Sequence, residues 1–151
     1  MGVALHAVSH IGLCVSDLDR SMSFYRDLLG FRERNRIEVA GPLASQLLQL
    51  AEVELEAIYL ERDGLVLELL AYRSPGTVAG PSPRPMNQTG LTHLSLQASD
   101  PGGLLEEFRE RGVAVREDTV VRLGDRVVAF LLQDPDGQTL EITAVPQGSV
   151  D

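Results

Sequence analysis

Ser9-His10-Ile11-Gly12-Leu13-Cys14-Val15-Ser16-Asp17 returns later in the chain as Thr92-His93-Leu94-Ser95-Leu96-Gln97-Ala98-Ser99-Asp100, and Asp63-Gly64-Leu65-Val66-Leu67-Glu68 returns as Asp136-Gly137-Gln138-Thr139-Leu140-Glu141. His10 precedes Asp17 by seven residues, and His93 precedes Asp100 by the same seven. A spacing kept in both copies marks an internal duplication, which has to be found before any other feature is placed. Each half carries one strand histidine and one strand glutamate at matching places. Both are metal-ligand types, and two such half-sites brought face to face would make a His2Glu2 constellation that neither half could build alone.

The halves differ in length between the paired phrases. From His10 to Glu68 is 58 residues, and from His93 to Glu141 is 48. The first half therefore carries an insertion of about ten residues by register, placed around Ala40 to Glu54. There Gly41-Pro42 breaks a strand pattern, and Ala44 to Leu50 can form a short helical turn.

The periodicity around the histidines reads as strand, then helix. Val8 to Val15 alternates, with Ile11, Leu13 and Val15 on one face and His10, Gly12 and Cys14 on the other. A helix follows at once: Ser16 or Asp17 can cap it, Leu18, Met22, Tyr25 and Leu29 recur at helical spacing, and Gly30 stops it. In the second half Pro101 sits just inside the helix start, Leu104, Leu105 and Phe108 form the buried stripe, and Gly112 lies past the end. Strand patterns then run over Arg32 to Val39, Glu54 to Arg62 and Leu65 to Tyr72 in the first half. In the second they run over Ala114 to Arg122, Arg126 to Asp134 and Thr139 to Val145. Each half is thus a β-α-β-β-β unit, module 1 over residues 6–73 and module 2 over 91–146, within a single domain spanning 1–151. The linker, 74–90, holds four of the chain's eight prolines and shows no apolar period. Its length lets the second module fold back beside the first.

Composition narrows the function classes. A chain of 151 residues with 44% hydrophobic content can bury a core. Its net charge of −9 argues against nucleic acid or an anionic membrane surface as the main partner, because both require clustered Lys and Arg. One cysteine excludes an internal disulfide, in keeping with a reducing cytoplasm. The stretch from Met1 to His10 lacks the charged head and apolar run of a signal peptide, and nothing later reaches the length of a membrane span. The expected partner is a small-molecule substrate.

The glutamates carry the most weight after the histidines. Glu68 interrupts the apolar run from Leu65 to Leu70, and an unpaired buried carboxylate would cost several kcal/mol or take up a proton. Alternation sets Leu67 and Leu69 toward the helix and Glu68 opposite; likewise Leu140 and Ile142 point inward while Thr139, Glu141 and Thr143 point away. Both carboxylates share the histidine face. A lone strand His or Glu is more often hydrogen-bonded or solvated than ligating, but this face also carries Gly12, Cys14, Ser95, Val66 and Leu70, too apolar a set for open solvent. His6 reads as a surface residue. Cys14, offset about 13 Å from His10 along a strand, reads as lining or core. The alternation of Arg32, Arg34 and Arg36 reads as a solvated strand face, with an anion-binding role as the alternative. Gln97 and Tyr59 are unranked candidates for the pocket.

With these residues in place, the chain resembles the vicinal oxygen chelate superfamily, which includes glyoxalase I, methylmalonyl-CoA epimerase, extradiol dioxygenases and the fosfomycin- and bleomycin-resistance proteins. The likeness rests on the β-α-β-β-β repeat, the histidine in the first strand of each unit, the Asp-Leu-x-x-Ser-x-x-Phe-Tyr-x-x-Leu-Leu-Gly-Phe run from Asp17 to Phe31, and Asp134-Pro135-Asp136-Gly137 leading to Leu140-Glu141. It implies an α+β fold in which two tandem βαβββ modules form a cup-shaped, barrel-like mixed sheet with helices outside. It also implies one divalent metal ion (Ni, Co, Zn, Mn or Fe) held by His10, Glu68, His93 and Glu141, and a homodimer. A glutamate as second ligand resembles the four-ligand isomerase and lyase branch, glyoxalase I-like or methylmalonyl-CoA epimerase-like. The implied activity is a metal-dependent isomerase or lyase that removes a proton next to a carbonyl, with Glu141 as base and Glu68 as its partner. The alternatives are an extradiol-type Fe(II) dioxygenase using His10, His93 and one glutamate, and a non-catalytic small-molecule (antibiotic) binding protein.

Overall fold

The computed structural model describes residue 2, residues 4–80 and residues 84–146. The chain divides into two compact units, Met1–Ala79 and Gly80–Asp151, whose boundary falls inside the proline-rich stretch 74–90. Linker residues 81–83 lie outside the described residues. Within the described part of that stretch, the Arg84 guanidinium donates to the backbone carbonyls of Gln88, Thr89 and Leu91, so residues 84–91 form an arginine-centred loop.

The first unit runs β1 (Ile11–Cys14), α1 (Leu18–Met22), β2 (Arg32–Ala40), α2 (Pro42–Leu48), β3 (Glu54–Arg62) and β4 (Leu65–Ser74). The second runs β5 (His93–Ala98), α3 (Pro101–Glu110), β6 (Ala114–Leu123), β7 (Arg126–Gln133) and β8 (Thr139–Ala144). Each unit folds one four-stranded sheet, in the orders β1-β4-β3-β2 and β5-β8-β7-β6. The first and last strands of each unit lie parallel and the other pairs antiparallel. The fold is α+β, as expected. The strands form two four-stranded mixed sheets, one from each βαβββ module.

Turn chemistry sets the registers. Asp63 (φ 51°) and Gly64 (φ 82°) both take positive φ, the requirement of a two-residue type I′ hairpin, and join Arg62 to its partner Leu65. Counting back along the ladder, Tyr59 lies opposite Glu68. In the second unit the buried Asp134 makes the turn: its Oδ1 accepts from the backbone N–H of Asp136 at 2.9 Å and of Gln138 at 2.8 Å. This carboxylate closes the β7–β8 loop and sets Leu131 opposite Glu141.

The helices behave as their caps and stripes dictate, with one departure. Asp17 caps α1, its carboxylate accepting from Arg20 N–H at 2.9 Å, and Asp100 caps α3 by accepting from Gly103 N–H at 3.0 Å. After Met22 the first helix widens into a π-helical stretch, Ser23–Leu28. Met22, Phe24, Tyr25 and Leu29 are all buried along this stretch. Val15, Phe31, Ile58, Leu60, Leu67 and Leu69 are also buried in the first unit's core, where the Tyr25 and Phe31 rings cross edge to face at 6.0 Å. In the second unit Leu105 and Phe108 of α3 meet Phe130, Leu132, Leu140 and Ile142, and the Phe108 and Phe130 rings cross edge to face at 6.3 Å.

The insertion in the first unit is α2. Gly41, at φ 95°, and Pro42 at the first helical position start it two residues ahead of the expected turn. Ala44 and Leu48 of α2 pack against the buried cluster of Val53, Leu55 and Ala57, as do Ile37, Val39, Tyr59, Leu70 and Tyr72. One end of the Glu68 face is therefore roofed by the inserted helix, which accounts for its apolar character.

Candidate functional site

The site residues of the first unit come from three strands and the segment entering β1. His10 immediately precedes β1; the regular strand starts at Ile11, not at Val8 as the alternation implies, and residues 4–10 carry no regular structure. His6 is exposed, and Cys14 is an exposed residue of β1. The His10 imidazole is held at both nitrogens. Its Nδ1 lies 2.9 Å from Ser9 Oγ, and its Nε2 lies 3.0 Å from Glu68 Oε2. The other Glu68 oxygen, Oε1, accepts from the Tyr59 hydroxyl at 2.5 Å, and the Tyr59 ring meets the His10 ring edge to face at 5.4 Å. Glu68 thus has both oxygens engaged and a side chain only 13% exposed. Tyr59 responds to its neighbour: the Glu68 carboxylate, which the phenol can donate to only while protonated, and partial burial together push its pKa up to about 12.

The second unit repeats the arrangement with a change of donor. Thr92 Oγ1 lies 2.8 Å from His93 Nδ1, and His93 Nε2 lies 3.6 Å from Glu141 Oε2. The hydroxyl on Glu141 comes from Ser95, which donates to Oε2 at 2.7 Å. Ser95 pairs with Glu141 across the parallel ladder as Gly12 pairs with Glu68. Gly12 has no side chain to donate, so in the first unit the donor is supplied by the strand on the other side, where the second unit has Leu131 opposite Glu141. Both Glu141 contacts fall on Oε2, and the side chain is 32% exposed. Gln97 lies exposed two residues beyond Ser95 on the same strand.

The structure therefore brings His10 to Glu68 and His93 to Glu141. Among the described residues, no three His, Cys, Asp or Glu side chains gather as a metal-holding group within either unit. Each pair is a two-donor half-set. Two donors about 2.1 Å from one ion stand about 3.0 Å apart at a right angle and about 3.4 Å apart at a tetrahedral angle. The observed separations of 3.0 and 3.6 Å are of that size, and an imidazole held at Nδ1 by a hydroxyl presents Nε2 in the way a ligating histidine does. The donor chemistry fits a divalent ion.

Two residues are added by the structure: Tyr59, which sequence reading leaves unranked, and Ser95, which it treats only as part of the face. The Asp63-Gly64 turn was the available signal for Tyr59, since it fixes which β3 residue faces Glu68.

No helix among the described residues is long and apolar enough to cross a membrane. The sequence profile described as the Glyoxalase/Bleomycin resistance protein/Dioxygenase superfamily matches residues 7–142. A catechol-2,3-dioxygenase from Bacillus subtilis is 28% identical over 150 residues, covering 93% of this chain and 43% of its own. The lactoylglutathione lyase GLX1 of Arabidopsis thaliana is 29% identical over 140 residues, covering 91% of this chain and 42% of its own. The chain thus spans less than half the length of both relatives. A crystal structure of a glyoxalase family protein from Bacillus cereus shares the fold, with a TM-score of 0.78 at 17% identity over 94% of this chain and 95% of the other. With a profile match over most of its length and the duplicated β-α-β-β-β architecture, the chain belongs to the glyoxalase/bleomycin resistance protein/dioxygenase superfamily.

Proposed function

We propose that this chain is a metal-dependent isomerase or lyase of the glyoxalase I or methylmalonyl-CoA epimerase type, acting on a small molecule with a proton next to a carbonyl. The proposed metal ligands are His10, Glu68, His93 and Glu141. When bound, a divalent ion supplies Lewis acidity to substrate oxygens and stabilises the negative charge that develops as the proton leaves.

The observation that carries this reading is the difference between the two carboxylates. Glu68 is held at both oxygens by His10 and Tyr59, whereas the contacts of Glu141 to Ser95 and His93 fall on a single oxygen. Glu141 is accordingly the base that accepts the proton at Oε1, and Ser95 steadies the other oxygen. Glu68 is the more firmly held ligand and acts at the opposite face, delivering to the substrate a proton taken up from solvent while Glu141 releases the abstracted one to solvent. Likeness to a lactoylglutathione lyase supports the same direction. We further take the working assembly to be a homodimer in the cytoplasm.

Elemental analysis of purified protein, followed by alanine variants at the four positions, tests the metal assignment. Retention of a full complement of metal by His10→Ala and His93→Ala would remove it. Proton exchange tests the base: with a hemithioacetal or an acyl thioester in deuterated water, Glu141→Gln should retain part of the metal and lose most solvent exchange at the substrate carbon, by about 100-fold or more for a lost general base. Undiminished exchange would show that Glu141 is not the base.

A second reading has one specific observation behind it, the likeness to a catechol-2,3-dioxygenase. His10, His93 and one glutamate would then act as a facial triad for ferrous iron. Oxygen uptake with catechol by the iron-loaded protein would favour it over the isomerase.

A further inference from the structure

The three alternating arginines of β2 do not share one environment. The β2–β3 register runs Arg32 with Glu61, Glu33 with Leu60, then Asn35 with Tyr59, so Arg34 is an extra residue in a β-bulge. A bulge places two consecutive residues opposite one partner and re-aims their side chains. Here Arg34 and Asn35 both line a cavity of about 320 Å³ whose other walls are Ser9, Tyr59 and Val66. Ser9 is the residue that holds His10 Nδ1, Tyr59 is the donor to Glu68, and Val66 precedes Glu68 by two residues on the same strand face, about 6.6 Å along the strand.

Charge also sets Arg34 apart from its neighbours. Arg36 is 3.4 Å from Glu33 and 2.9 Å from Glu56. Arg32 takes Glu61 at 2.8 Å, and Arg34 reaches the same Glu61 oxygen only at 3.9 Å. One carboxylate is thus shared by two guanidiniums, and Arg34, the more distant of the two from it, is the cationic side chain on the cavity wall. The nearby carboxylate, Glu68, is occupied by His10 and Tyr59. A guanidinium fork beside an amide and a hydroxyl matches a carboxylate or phosphate group, which it can bind through two parallel hydrogen bonds.

We propose that Arg34 and Asn35 form an anion subsite that binds a carboxylate or phosphate group of the substrate and so orients its reacting end toward His10 and Glu68. The subsite rests on the proposed function for its purpose, but its binding can be read without turnover or metal. Metal-free protein is titrated separately with malonate, inorganic phosphate and neutral malonamide, following the Arg34 Nε–H and Asn35 side-chain amide resonances by NMR. Saturable shifts with malonate or phosphate and none with malonamide are expected, and the stronger of the two anions identifies the group. Arg34→Gln should weaken binding about tenfold or more, the loss of a charged bidentate partner. Arg34→Lys, which keeps the charge without the fork, should fall between, and Arg36→Gln should bind like the parent. Shifts that do not saturate, or equal weakening in Arg34→Gln and Arg36→Gln, would overturn the subsite. Anion binding at Arg34 in a protein whose His10 and His93 variants lose no metal would leave the subsite standing and remove the metal reading; the reverse pattern would do the opposite.

Discussion

Replacing Tyr59 by Phe removes one oxygen and leaves the ring that crosses His10 in place. The lost atom is the donor in the 2.5 Å bond to Glu68. A phenol raised from 10.0 to about 12 corresponds to about 2.7 kcal/mol of preference for the protonated, donating form. Hydrogen bonds to a charged group contribute about 1.5–3 kcal/mol, and water reaches this half-buried pair, so a net loss of about 1–2 kcal/mol is expected at neutral pH. Urea unfolding of the metal-free protein, followed by circular dichroism, measures it. The pH dependence carries a further signature. Because the folded phenol titrates above the unfolded one, its stabilisation is fully present below pH 10 and is lost as the pH rises from 10.0 toward about 12. The parent should lose that increment across the window, and Tyr59→Phe should not. A stability change within about 0.5 kcal/mol, the range of ordinary surface substitutions, together with parallel pH profiles, would show that the phenol does not hold Glu68.

Other outcomes follow from the same structure. Asp134→Ala leaves two backbone N–H groups of a buried turn without their acceptor and should cost about 2–3 kcal/mol in thermal or urea unfolding. Gly64→Val forces a β-branched residue to φ 82° in the β3–β4 turn; a loss of about 1–2 kcal/mol is expected in urea unfolding. Phe108→Ala removes a core ring that is 2% exposed and should cost about 3–5 kcal/mol in the same assay. Ser95→Ala should change global stability by less than any of these while lowering metal affinity about tenfold in a chelator competition, as loss of a partner to a ligating carboxylate does.

Much of the architecture was legible because duplication supplied two independent copies of each signal. The β3 bounds, Glu54–Arg62, are those read from alternation, and Pro101 opens α3 where its lack of an N–H is harmless. Departures occur where tertiary packing overrides local pattern. Val8 is 91% exposed despite its place in an alternating run, since no neighbouring strand pairs with it and β1 begins only where Leu67 pairs with Ile11. The bulge at Arg34 was hidden because Arg-x-Arg-x-Arg keeps a perfect period of two, and only the ladder to β3 reveals the extra residue.

The amino-acid order alone determined the repeat, the element types, the face shared by each histidine and its glutamate, and the family those features resemble. These depend on periods of 2.0 and 3.6 and on turn chemistry, all local in the chain. Tertiary structure decided which hydroxyl serves each carboxylate, Tyr59 for Glu68 and Ser95 for Glu141, and which arginine of β2 turns into the cavity. Those choices depend on the register between strands that are distant in sequence, where a slip of one residue would present the opposite face.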